Sequence, residues 1–91
     1  MKKSEFYNGI KATLEYAAGV PRDEWRKDGT GIVVDTDFGL VAVNCSRNVV
    51  TLYTKKFGQH GEKVVTDWNT GFKDNMVAIT AGKIITFWAK F

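Results

Sequence analysis

The stretch GIVVDTDFGLVAVNCSRNVVTLYTK, Gly31 to Lys55, decides the fold. Turn-forming residues interrupt it twice, at Thr36-Asp37-Phe38-Gly39 and at Cys45-Ser46-Arg47-Asn48, and the runs between are rich in β-branched side chains. That pattern predicts three antiparallel strands joined by short connections. Treating each interruption as a four-residue loop sets Asp35 opposite Leu40 and Asn44 opposite Val49. Direct partners in an antiparallel pair point to the same side of the sheet. Ile32, Val34, Val41, Val43, Val50 and Leu52 then share one face, and all are apolar. Val33, Asp35, Leu40, Ala42, Asn44, Val49, Thr51 and Tyr53 share the other. A slip of one residue would scramble this sorting, so the pattern itself specifies the register.

Upstream, Phe6, Ile10, Leu14 and Ala17 recur at helical spacing, with Ser4 as N-cap and Glu5 in the first turn. Gly19 and Pro21 form a stop signal. This predicts a helix over residues 4–18, with a Lys11–Glu15 pair on its exposed side and Gly9 allowing close approach to the sheet. Pro21 to Asp28 is expected to hold a second, short helix anchored by Trp25. Gly29-Thr30-Gly31 then releases the chain into the strands.

Downstream, residues 56–62 read as a glycine-punctuated loop and Lys63 to Trp68 as a fourth strand. Asn69-Thr70-Gly71 breaks it, and Phe72-Lys73-Asp74 leads into the last unit. Asn75 to Lys90 is expected to form a final hairpin turning at Thr80-Ala81-Gly82. Its pairing puts Val77, Ile79, Ile85 and Phe87 on one side and Met76, Ala78, Ile84, Thr86 and Trp88 on the other. The expected fold is α+β: one domain over 1–91, its N-terminal helix packed on an antiparallel meander of five or six strands. The sheet is open or curled into a partial barrel.

Composition sets the outer limits. Ninety-one residues with 44% hydrophobic content suit one small core. The lone Cys45 rules out an intramolecular disulfide framework, and no apolar run approaches the roughly 20 residues of a membrane span. The interrupted N-terminal segment MKKSEFYNGIK lacks signal-peptide character. A reduced, cytoplasmic protein is the expectation. The net charge of +3 comes from 13 basic and 10 acidic residues, interspersed along the chain. That is a solubility feature more than a nucleic-acid footprint.

Chemistry-bearing motifs are scarce. Asp37-Phe38-Gly39 spells a kinase metal-binding triplet, but in a chain this short, without a glycine-rich nucleotide loop, it is a hairpin turn. Ala81-Gly82-Lys83 lacks the spacing and following helix of a phosphate loop. One Cys and one His do not supply a zinc site, and Asp35 with Asp37 falls short of the six or more oxygens that a hard cation takes. Activation of Cys45 or Ser46 by His60 lacks an orienting third group. No enzyme activity, cofactor or metal is expected.

Binding remains. The second sheet face is too apolar for an ordinary wet surface, and it is expected to be covered by barrel closure, by a second copy in a homodimer or by a partner protein. Tyr53, Trp88, Met76, Ile84, Leu40 and Val49 are the candidate partner-binding residues. Phe57, Phe72 and the terminal strand edge ending at Phe91 are further candidates. The expectation is a protein-interaction module, by analogy of size an accessory or inhibitory protein of the kind phages and other mobile elements encode. The alternative is single-stranded nucleic-acid binding, with sheet aromatics as platforms and Lys55, Lys56, Lys83 and Lys90 as a cationic rim.

Overall fold

The computed structural model describes residues 2–46, 49–67 and 75–90. Five antiparallel strands form a meander: β1 (Arg26–Asp28), β2 (Gly31–Thr36), β3 (Gly39–Ser46), β4 (Val49–Lys55) and β5 (Glu62–Asp67). Helix α1 (Lys3–Ala18) precedes the sheet and α2 (Met76–Ala89) follows it. The sheet is open, not closed into a barrel, and the class is α+β.

The expected sorting of side chains holds. Asp35 pairs with Leu40, and the ladder continues to Thr36 opposite Gly39. Gly39 has φ 130, and a Cβ there would press on Lys55 O, so the position requires glycine. The next pairing is two residues tighter than expected, with Ser46 opposite Val49 and Asn44 opposite Thr51. A shift of two preserves the facing of every residue, because side chains alternate with period two. Ile32, Val34, Val41, Val43, Val50 and Leu52 are all buried, and Cys45 joins them.

α1 buries Phe6, Ile10 and Leu14, and ends on Gly19 in the left-handed conformation (φ 68), whose N–H donates to Glu15 O. It starts at Lys3, so Ser4 lies inside the helix and is not its cap. Glu15 pairs with Arg22 at 3.0 Å, not with Lys11. The expected second helix shrinks to a 3-10 turn at Arg22–Glu24, after which the buried Trp25 turns the backbone extended and leads into β1.

The main correction lies in residues 75–90. They form α2 and no hairpin. Met76, Thr80, Ala81, Ile84 and Trp88 are buried at spacings of four, one, three and four, which is a helical stripe. The β-branched content mimicked strands; burial of that stripe outweighs the cost of Gly82 in a helix interior, about 1 kcal/mol. α2 lies beside α1 over the same sheet face, and Gly9 meets Val77, whose methyls would stand 3.1 Å from a Cβ at the glycine. Gly9 thus serves the helix–helix contact, not contact with the sheet.

Tyr7 ties α1 to the sheet. Its hydroxyl donates to Thr30 O at 2.9 Å and accepts from Cys45 N–H at 2.8 Å. Removing it leaves a backbone donor without its partner at a site under the helix. Tyr7→Phe is expected to cost about 1–3 kcal/mol in urea unfolding. Burial raises the hydroxyl's pKa above 10.0, against the lowering effect of the Cys45 N–H. A folded-state pKa above the unfolded value means that Tyr7 stabilises fully below pH 10 and loses this contribution as pH rises through the folded pKa. Tyr7→Phe is therefore expected to flatten the alkaline fall in stability, measured by urea midpoints above pH 10.

Candidate functional site

Because both helices stand on one side, the other side of the sheet carries no element among the described residues. One row of side chains crosses it from edge to edge: Arg26, Val33, Ala42, Tyr53 and Lys63. The next holds Asp28, Gly31, Asn44, Thr51 and Val65. Asp35, Leu40 and Lys55 flank the first row, and Ser46 with Val49 flanks the second. Val33, Leu40, Ala42, Val49, Thr51 and Tyr53 are half-buried, and Val65 is 58% exposed. The centre is apolar, with one aromatic; the rim is charged.

Tyr53 is held by its neighbours. A Cβ at Gly61 would fall on the Tyr53 ring, so the ring lies across the glycine just before β5. An aromatic laid over a glycine covers backbone that no side chain would otherwise shield. Asn44 donates to Thr30 Oγ1 at 2.8 Å, which uses the polar residue nearest the β1–β2 turn within the sheet.

The six partner-binding residues expected from sequence do not form one patch. Leu40, Val49 and Tyr53 share the open face. Met76, Ile84 and Trp88 belong to α2 and are core, at 0%, 0% and 7% exposure, on the opposite side. Treating 75–90 as strands had placed them beside Tyr53, and the helical period removes them. Trp25 is likewise core. The cationic rim also divides. Lys55 is on the open face, while Lys83 is on α2 and Lys90 is its C-cap, and Lys56 donates to Lys90 O at 3.1 Å on the helix side. Arg26, Lys63 and Val65, which sequence reading left out of the site, join the face instead. The three-residue β1 carries no hydrophobic signal by which it could be recognised as a strand. Phe57 is exposed in its loop, whereas Trp68, Phe72 and Phe91 lie outside the described residues.

The groups considered for catalysis are far apart in the ladder. Cys45 pairs with Val50 near the start of β4, whereas His60 follows the far end of that strand. Among the described residues, no three His, Cys, Asp or Glu side chains gather in a metal-binding group. No described helix is long and apolar enough to cross a membrane. Burial pushes the Cys45 thiol's pKa up, against the pull of the Lys3 ammonium. A buried, protonated thiol is a poor nucleophile. Cys45, 1% exposed, is expected to react with a disulfide reagent far more slowly in the folded chain than in urea, followed by thiolate release. Equal rates would place the thiol at the surface.

A scan against protein-family models and searches of curated proteins and solved structures found no match to this chain.

Proposed function

We propose that this chain is a small, non-enzymatic protein-interaction module, an accessory or inhibitory protein that docks on a larger protein through its open sheet face. The observation that carries this reading is one-sided coverage. Two helices crowd one face, while Val33, Leu40, Ala42, Val49, Tyr53 and Val65 make the other apolar across four strands with nothing described above it. Apolar patches rimmed by polar groups mark interaction surfaces. A half-buried tyrosine braced by its neighbours is a suitable anchor, because little side-chain entropy is left to lose on docking.

The rim says what the partner should carry. Arg26, Lys55 and Lys63 alternate with Asp28 and Asp35, and Asp67 pairs with Val49 at the same margin, so the fitting surface is an apolar patch edged by charges of both signs. Single-strand nucleic acid is the weaker reading. A stacking groove needs several aromatics interleaved with cations, and among the described residues Tyr53 is the one aromatic on the face, while Lys83 belongs to α2 and Lys90 caps that helix.

Affinity capture with the folded chain as bait, compared with Leu40→Asp and Tyr53→Ala baits of unchanged circular dichroism, tests the reading. A specific protein retained by the parent chain is expected to lose about tenfold or more in affinity with either change. Equal retention by all three baits would defeat the reading. Gel shifts with mixed-sequence oligonucleotides that appear at low salt and vanish steeply with added salt would favour the nucleic-acid alternative instead.

A further inference from the structure

The two edges of the sheet are built differently. β1 is three residues long, and Arg26, Lys27 and Asp28 are all charged and exposed. Short, charged edges resist pairing with another chain. β5 has no such guard at its middle, where Val64-Val65-Thr66 is a β-branched run without proline. Both valines stand out of the core, Val64 at 40% and Val65 at 58% exposure. Val64 faces the helices, where with Leu52, Ile79 and Phe87 it lines a groove of about 450 Å3 between β5 and α2. A sheet that ended at β5 by design would not be expected to leave apolar residues on both faces of its edge strand.

We propose that β5 of a second copy completes this edge, in a two-fold antiparallel pairing centred on Val64. A two-fold axis through the sheet keeps each residue on its own face, so it admits only registers that join residues of like facing. Centring on Val64 sets Glu62 of each copy opposite Thr66 of the other, and Lys63 opposite Val65. Lys83 Nζ lies 3.5 Å from Thr66 Oγ1. Glu62 of one copy therefore arrives beside the ammonium group of Lys83 of the other, and symmetry makes this contact twice. On the open side, the Lys63 stem covers Val65 of the other copy, with its charge still in water.

Neighbouring registers fit worse. Centring on Lys63 brings two ammonium groups face to face on the axis, whereas centring on Val65 sets Lys63 opposite Asp67 and carries Glu62 away from Lys83. Only the Val64-centred register brings Glu62 to Lys83 and joins the two grooves over paired valines, and the charge exchange at Glu62 and Lys83 tells it from the Val65-centred one. The resulting sheet has ten strands, with the two grooves meeting over the paired Val64 side chains. On the open face this pairing touches only Lys63 and Val65 at the margin and leaves Leu40, Val49 and Tyr53 clear, so the docking proposed through those residues stands or falls separately.

Light scattering on the full chain tests the proposal. The expected mass is twice the 10.2 kDa of one chain; a monomer persisting to about 100 μM would overturn it. Val64→Lys puts two charges on the axis and is expected to weaken the dimer by about a hundredfold while the circular dichroism stays native. If that variant fails to fold, the charge exchange decides. Glu62→Lys or Lys83→Glu alone is expected to weaken association about tenfold, and the two together to restore it. A dimer indifferent to these changes, not restored by the double exchange, or broken by Leu40→Asp instead, would overturn the edge pairing.

Discussion

All helical bulk in this protein has to stand on one side of one sheet. The period-two alternation of β2, β3 and β4 gathers Ile32, Val34, Val41, Val43, Cys45, Val50 and Leu52 on a single face, and that face is the apolar surface both helices need. α1 and α2 therefore lie side by side, each meeting the sheet and the other. The close fit at Gly9 and Val77 follows from this shared footing, as does the position of Tyr7, whose hydroxyl reaches past the helix edge to Thr30 and Cys45. The core is a wedge filled from two sides. The bare face is what remains after the helices have been placed.

The sheet could be read from the sequence because strand pairing has a strict period and its turns have a strict chemistry. Asp35 opposite Leu40 follows from the turn residues between them. The two-residue difference at Ser46 and Val49 changed the ladder and no face, since parity carries the information and loop length does not. The segment from Met76 to Ala89 could not be read in the same way. Val77, Ile79, Thr80, Ile84, Ile85 and Thr86 are β-formers by local preference, and Gly82 sits where a hairpin would turn. What decides for the helix is an interaction the local sequence does not contain: a vacant strip of sheet beside α1. Tertiary burial outweighs propensity there.

That one reassignment carried half of the expected site with it. Tyr53, Leu40 and Val49 were placed by the meander and keep their positions, while Met76, Ile84 and Trp88 were placed by the hairpin and moved to the core. Arg26 and Lys63 come to the face through pairings at the two margins of the sheet, where the hydrophobic signal is weakest. A surface assembled from five strands is most legible at its middle and least at its rim, and the rim sets the charge that a partner meets.

Chain order gives the shared footing of the helices a further meaning. α2 follows every strand, so during synthesis the whole meander leaves the ribosome before the helix that completes its cover. Its strands are neighbours in sequence and pair over short loops, which favours rapid formation. A chain folded through β5 without α2 would present a sheet with α1 on part of its apolar face and a vacant strip beside it. Until Ile84 and Trp88 emerge, that strip is open to chaperones and to other nascent chains, as exposed apolar surface in partly folded states commonly is.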